Sequence, residues 1–345
     1  MADILARLND AQRARLKEAS DQGSILRVYE VLREAASTSD FPMLLAPTLG
    51  KILQRAYEQV PDQWRSIVNV ATLPDFKEKT ILSLSEADDL EEIKGEVGEY
   101  KDSTLLESQE KYALGIYGRT FTTTYKTIVN DDMDAIKKQP DRFGRAAARL
   151  LNKLVFSILE NNPVMGDSTN LFAAGHNNLG TQGLSESSLT TGITAMKKQT
   201  DAKGNRIYVR PKYLLVPVEL EWTARKLLNS AQVPSAGNDS ATYAPNDTNV
   251  LKDAGLELLV CDWLTDPNDW YLIADKSTID TIEVGFLRGV GEAPQLFLKS
   301  SGWTTLNGMA ADPMGMDDEP IRWKVRHITG AKPVDFRGMY KGQVS

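Results

Sequence analysis

The feature that most limits how this chain can fold is an acidic stretch at residues 86–111. It holds ten acidic side chains and three lysines, and its net charge of −7 equals that of the whole 345-residue chain. Apolar and polar residues alternate around Ile93 and again around Tyr112, which predicts two strands joined by a turn near residues 101–104. Two strands of about a dozen residues would extend roughly 40 Å.

A two-stranded ribbon of this kind needs a cover. Isolated hairpins are marginal in water and have open edges, and no neighbouring segment is apolar enough to cover this one. We therefore expect another copy of the same chain to cover the ribbon. The ribbon residues expected at that interface are Glu96, Glu99, Lys101, Asp102 and Glu107.

A helical region capped by Asn130-Asp131-Asp132 is predicted first, and a long amphipathic helix follows it beyond Pro140. Apolar residues keep helical spacing from Phe143 to Leu159, and the sequence Asn161-Asn162-Pro163 ends the pattern. The opposite face is basic, so it can attract the acidic ribbon. Each exposed ion pair contributes only about 0–1 kcal/mol, so these charges should act mainly on register and specificity. The basic residues expected at the interface are Arg142, Arg145, Arg149 and Lys153.

The rest of the chain divides into shorter elements. The first seventy residues have the pattern of helices broken by turns, and the third helix ends before Pro61. The other predicted elements are a strand at 118–129, helices at 186–199 and 219–228, an exposed loop at 231–247, and strands at 213–217, 256–260, 270–273, 281–284 and 321–327.

The composition is that of a soluble globular protein, with 41% hydrophobic and 25% charged residues. The charged N-terminal helix pattern does not resemble a secretory signal, so we expect synthesis in a cytosol. The single cysteine, Cys261, allows no intrachain disulfide and is expected to be a buried apolar residue. The acidic balance argues against sequence-specific DNA binding, although it leaves room for a weakly basic inner surface.

The motifs for catalysis and metal binding do not form complete sets. His176 could act as a general base with Asp167, but the sequence has no second histidine nearby and no nucleophile elbow. A loop histidine with backbone hydrogen bonds is the simpler interpretation, and His327 is expected to be structural. A calcium-loop pattern from Asn130 lacks its glycine, and Gly289-Val290-Gly291 opens no helix. We therefore predict no catalytic, cofactor or metal site.

The order of these parts, and several motifs, resemble a known family. The chain is similar to tailed-bacteriophage major capsid proteins of the Hong Kong 97-type fold, and more specifically to the Mu-like major head subunits. The motifs that carry the resemblance are YALGIYGRTF (112–121), IVNDDM (128–133), FGRAAARLLNK (143–153), NLFAAGHNNLG (170–180), RPKYLLVPVELEWTA (210–224) and WKVRHITGAKPVDFRGMYK (323–341).

The resemblance implies an α+β fold with four regions. An N-terminal helical arm would occupy residues 1–80, and an extended β-ribbon loop 81–118. A peripheral domain with a long spine helix would occupy 119–163 and 301–345, and an axial α/β domain 164–300.

The implied function is structural. Copies would assemble into hexamers, pentamers and a closed icosahedral shell that encloses double-stranded DNA without sequence specificity. Scaffold, portal and decoration proteins would be partners, and the location would be the virion, with the host cytoplasm during assembly. Two alternatives stay open: the shell of an encapsulin-like nanocompartment, and a hydrolase that uses His176.

Overall fold

A computed structural model describes residues 41–84, 107–123, 133–233, 247–299 and 321–344. The predicted helices of the first forty residues, the strand at Ile93, the turn at 101–104 and most of the loop at 231–247 lie outside these ranges. The helices are α1 (Phe41–Glu58), α2 (Met133–Asn161), α3 (Glu186–Lys197) and α4 (Glu221–Asn229). Among the described residues, no helix is both long and apolar enough to cross a membrane.

Fourteen strands accompany these helices in the described part of the chain. They are β1 (Val68–Leu73), β2 (Lys79–Leu84), β3 (Glu107–Tyr112), β4 (Gly115–Thr123), β5 (Leu179–Gly180), β6 (Pro211–Pro217), β7 (Gln232–Val233), β8 (Asp247–Thr248), β9 (Glu257–Cys261), β10 (Trp270–Ala274), β11 (Ile282–Leu287), β12 (Gln295–Lys299), β13 (Ile321–Pro333) and β14 (Met339–Gly342). The chain is therefore of the α+β class, as predicted.

The described residues form two compact units. Unit 1 comprises those within Met1–Pro61, Ile116–Leu150 and Val290–Ile328, and unit 2 comprises those within Asp62–Gly115, Leu151–Gly289 and Thr329–Ser345. In unit 1, β4 and β12 both pair with β13. The division into an arm, an extended loop, a peripheral domain and an axial domain stays a prediction.

Unit 2 has its core on a five-stranded sheet with the order β5-β14-β10-β6-β9. Strand β6 runs parallel to β9, and β10 runs antiparallel to both β6 and β14. Helices α3 and α4 cover one face, where Leu189, Met196 and Leu228 pack with Leu214 and Leu272. Helix α3 begins at a capping box in which Ser185 and Ser188 exchange hydrogen bonds with each other's backbone N–H.

The spine helix joins two segments that the sequence predicted separately, a helical region after residues 130–132 and a long helix beyond Pro140. Helix α2 begins at Met133 and continues through Pro140, although its end at Asn161 was predicted correctly. A proline removes one backbone hydrogen bond of a helix. Pro140 is buried, so packing around it can offset that loss.

Two predictions around the extended loop are wrong. Val68–Leu73 forms β1, not part of a helical arm, because it pairs in parallel with β11, more than two hundred residues later. Tyr112 pairs with Lys79, a partner that the sequence did not predict, while the predicted strand around Ile93 lies outside the described residues. The following strand also begins earlier than predicted, at Gly115 instead of Gly118. Alternation alone cannot fix which strands pair.

Candidate assembly surfaces

The base of the extended loop is a two-stranded ribbon that we call the loop root, formed by β2 and β3. The antiparallel register runs from Lys79 opposite Tyr112 to Leu84 opposite Glu107. One face of the ribbon is turned inward, and there Glu110 and Tyr112 are buried. On the other face Leu82 is 55% exposed. The loop root thus has one face packed against the rest of unit 2 and one face exposed to solvent.

The inward face of the loop root rests on a pair of glycines. Gly285 of β11 and Gly330 of β13 are directly paired. A Cβ atom on Gly285 would lie 2.7 Å from the Tyr112 hydroxyl, and one on Gly330 would lie 2.7 Å from the carbonyl oxygen of Ala113. A side chain at either position would displace the loop root. The two glycines therefore allow the loop root to pack closely against β11 and β13.

Charged groups fix this position. The Tyr112 hydroxyl donates a hydrogen bond to Glu283 at 2.5 Å, and the Lys79 ammonium contacts the same carboxylate oxygen at 2.5 Å. Burial raises the pKa of Tyr112, and the neighbouring Glu283 carboxylate raises it further, so the phenol stays protonated and can donate.

Glu110 makes the second attachment of the loop root. Its carboxylate accepts a hydrogen bond from the backbone N–H of Gly166 and lies 3.4 Å from the Lys332 ammonium. The approach of the two segments is close, because a Cβ on Gly166 would lie only 2.1 Å from the carbonyl oxygen of Gln109. A charge-assisted hydrogen bond to a buried carboxylate is a strong local constraint.

The structure covers only one of the five predicted ribbon residues. Glu107 begins β3, opposite Leu84, and its side chain is not described. Glu96, Glu99, Lys101 and Asp102 lie outside the described residues. Their part in assembly stays a prediction.

The four predicted basic residues of the spine helix form one stripe. Arg142, Arg145, Arg149 and Lys153 are all exposed, and their spacing of three, four and four residues places them along one side of α2. Arg145 forms an ion pair with Asp141, and the Lys153 ammonium lies 5.9 Å from the centre of the Trp263 ring. The four cations are thus accessible along one side of the helix, and their role as a docking surface stays a prediction.

His176 and Asp167 are indeed neighbours, as the hydrolase alternative requires. The His176 Nε2 atom lies 2.7 Å from an Asp167 carboxylate oxygen. The Nδ1 atom lies 3.2 Å from the carbonyl oxygen of Leu171, to which it can only donate. The ring also stacks on Phe336, with centroids 3.6 Å apart. Both nitrogens therefore face acceptors, and neither is free to take a proton from a substrate.

Asp167 belongs to the same local network. Burial opposes ionisation of this carboxyl group, but hydrogen bonds from the Thr169 N–H and from His176 hold its pKa below the ordinary value. The ionised carboxylate fixes the loop that follows the spine helix. This arrangement has a structural explanation and does not need a catalytic one.

The remaining chemical groups give no other site in the described residues. No three side chains of the kinds that ligate metals are grouped there. Cys261 is buried, as predicted, and burial raises the pKa of its thiol to about 11, which keeps it a neutral thiol.

The sequence reasoning missed the partners that hold the loop root. Glu283 and Lys332 come from strands more than 170 residues beyond β2, and no local pattern pairs them with Lys79 and Glu110. The alternating cations of β13 are visible in the sequence, where they indicate only a strand.

Comparison with known proteins agrees with this architecture. The model of a phage capsid protein family matches residues 107–342. A chain of Mycobacterium phage Patience has a TM-score of 0.51 and 9% sequence identity, over 90% of this chain and 89% of that one. No protein with a curated description matches the sequence.

Two further structures are similar at a lower level. A chain from the procapsid of bacteriophage JBD30 is 14% identical, with a TM-score of 0.44 over 90% of this chain and 77% of that one. An encapsulin from Synechococcus elongatus is 9% identical, with a TM-score of 0.46 over 83% and 88%.

At 9% identity, the similarity to the Patience chain concerns the fold alone, and the α+β architecture is consistent with the expected Hong Kong 97-type capsid fold. Because the family model spans more than half of the sequence, the chain belongs to the phage capsid protein family. Membership of the Mu-like subfamily stays a prediction.

Proposed function

We propose that this chain is the major head subunit of a tailed phage, and that its copies form hexamers, pentamers and a closed icosahedral shell around double-stranded DNA. The observation that carries the proposal is the family match over residues 107–342, the range that holds β3, the spine helix and the unit 2 core. A closed shell follows when identical subunits make repeated contacts under point-group symmetry.

The extended loop is the proposed contact between copies. Its root is fixed on the inward face and open on the other, where Leu82 is exposed. The loop beyond the root carries most of the acidic charge of the stretch at 86–111, and the spine helix presents four exposed cations. Docking of the loop on the helix would bring these opposite charges together. Apolar burial would supply the affinity, and the charges would select the register.

Other partners follow from the same role. A shell that receives DNA needs a portal and a scaffold, and decoration proteins would bind its outside. The chain would act in the virion, after assembly in the host cytoplasm, and it would have no catalytic activity of its own.

The two alternatives are weaker. An encapsulin-like compartment would have the same fold, but the matching family is one of phage capsid proteins. A hydrolase would need a basic nitrogen on His176, whereas both of its ring nitrogens face acceptors. A hydrolase would also leave the acidic loop unexplained.

Electron microscopy of the purified full-length chain, alone and with co-expressed scaffold, tests the proposal. Closed shells or rings of five and six subunits are expected at some salt concentration and pH. A chain that stays monomeric or dimeric under every condition, with and without scaffold, would contradict it. Shells that contain a cargo enzyme and no nucleic acid would favour the encapsulin alternative.

A further inference from the structure

The sheet of unit 1 has two faces of opposite character. On the buried face, Trp323 stacks on Phe121 of β4, with centroids 5.8 Å apart, and Phe121 stacks on Phe143 of α2. His327 lies on the same face, against Tyr57 of α1. Helix α1 and the first half of α2 thus pack against this face. Because side chains alternate along a strand, the residues of β13 between Trp323 and His327 include ones that point to the opposite, outward face.

The outward face carries a row of cations on β13. Arg322 and Lys324 are exposed and Arg326 is partly exposed. The register places Lys324 opposite Phe297 and Arg326 opposite Gln295 of β12. On the other side, β4 adds Thr120 and Thr122, which are exposed and alternate with the inward-facing Phe121. We call these residues of β4, β13 and β12 the cationic face.

Neighbouring groups hold two of the cations in place. The Lys324 ammonium and the Arg326 guanidinium lie 4.9 and 4.6 Å from the centre of the Phe297 ring. The Arg326 guanidinium also donates a hydrogen bond to the Gln295 side-chain oxygen at 2.7 Å. These contacts orient the cations without neutralising them.

Carboxylates are missing from this face, within the described residues. None forms an ion pair with Arg322, Lys324 or Arg326, whereas Arg145, Lys212 and Arg225 each have an acidic partner. The whole chain has more acidic than basic residues, 47 against 40. A row of three cations without an acidic partner therefore has the opposite charge to that of the chain as a whole. Such a row attracts an anionic partner from outside the subunit.

We propose that the cationic face binds the phosphate backbone of double-stranded DNA without sequence specificity. Arginine, lysine, threonine and glutamine side chains are the donors that proteins commonly offer to phosphate oxygens. The Phe297 ring has Lys324 and Arg326 over it, so it is not open for stacking with an unpaired base. This inference rests on the proposed function, since it names the surface that would meet the packaged DNA.

A second copy's acidic loop is the competing occupant, but DNA fits the face better. Duplex DNA carries one negative charge per about 1.7 Å of its axis, a higher and more regular density than ten acids spread over the stretch at 86–111. The face is also three strands wide and includes two exposed threonines of β4, whereas a carboxylate strand would need only the single row of cations.

The test is binding of a short, fluorescently labelled duplex of random sequence to the full-length chain, below the protein concentration at which shells form. The variant R322Q/K324Q/R326Q removes the three charges and keeps polar side chains at these positions. Each phosphate contact contributes about 0.9 to the slope of log K against log salt concentration, so the slope should fall by about 2–3. Thermal unfolding checks that the variant remains folded.

A matched control removes three exposed cations of unit 1 away from this face, in K51Q/R55Q/K138Q. It should keep the slope of the unaltered chain. Equal affinity and slope for the cationic-face variant and the unaltered chain would overturn the inference. So would a variant that binds the duplex normally but no longer forms shells, because the face would then belong to a neighbouring copy. If the unaltered chain forms no shells but its duplex binding depends on the face, the proposed function fails and the inference stands.

Discussion

The interior sheet of unit 2 and the loop root are both β-structure, but they are held in different ways. The sheet buries Leu214, Leu272 and their neighbours between its strands and two helices. Its ion pair, Lys341 with Asp269, has a distance of 2.7 Å and both side chains about 5–6% exposed. The loop root has two strands, and the Lys79 side chain of its ion pair with Glu283 is 35% exposed.

This difference predicts that damage to the sheet affects folding, whereas damage to the open face of the loop root affects assembly. The sheet is stabilised by contacts that the subunit completes by itself, so damage to it should unfold the chain. The loop root is positioned by a few polar contacts and keeps an open apolar residue, so damage to its open face should leave the subunit folded and impair contact between copies.

The largest expected effect comes from breaking the buried ion pair. Asp269→Ala leaves the Lys341 ammonium buried without its partner, which should lower the free energy of unfolding by about 3–5 kcal/mol in urea titrations. The matched substitution at the loop root, Lys79→Met, should cost less than about 1 kcal/mol, because that pair is partly exposed. Equal losses would show that the two regions are held in the same way.

Low pH offers a second test of where stability resides. Burial lowers the pKa of His327 to about 4, below its value of about 6.5 in an unfolded chain, so protonation favours unfolding. The contribution of His327 to the free energy of unfolding should be fully present above about pH 7.5 and should fall by about 3 kcal/mol by pH 4. Urea titrations at several pH values should show a smaller fall for His327→Phe. An equal fall in both proteins would exclude His327 as the cause.

An intermediate effect is expected at the inward face of the loop root. Glu110→Ala removes the acceptor of the Gly166 N–H and the partner of Lys332, which should cost about 1–3 kcal/mol. Glu110→Gln keeps an acceptor oxygen and should cost less. Hydrogen exchange at the β2–β3 amides should accelerate in the alanine variant. Unchanged exchange would mean that Glu110 does not hold the root.

The smallest effect on folding is expected at the open face. Leu82→Ser should change the free energy of unfolding by no more than about 0.5 kcal/mol, because the side chain is 55% exposed. The yield of shells should nevertheless fall. Val250→Ser, at a residue 71% exposed elsewhere in unit 2, serves as a control with normal yield. Normal shells from the Leu82 variant would remove it from the contact between copies.

The sequence predicted the elements whose signal is local. The apolar spacing from Phe143 to Leu159 gave the spine helix and its end, and the strands β6, β9, β10 and β11 begin and end within a few residues of their predicted limits. The stripe of Arg142, Arg145 and Arg149 is exposed, as the same spacing predicted. The helix buries one face and strands such as β6 and β10 are short, almost fully buried apolar runs, so the pattern of apolar residues carries the information.

What the sequence could not predict depends on distant partners. Strand β1 is fixed by β11, and the register of β2 with β3 is fixed by Glu283, Gly285 and Lys332. Strand β14 has only four residues, all buried, and its pattern is too short to detect. Pro140 favoured a break between two helical segments, yet α2 continues through it, because tertiary packing can outweigh local propensity.

A charge exchange tests the central claim, that the acidic loop of one copy docks on the spine helix of another. Reversal of the loop charges in E96K/E99K/E107K, or of the helix charges in R142E/R145E/R149E, should each abolish most shells in electron micrographs while the subunit stays folded. Combining both sets in one chain should restore shells. Normal shells from either single set, or no recovery in a folded combined variant, would contradict the account.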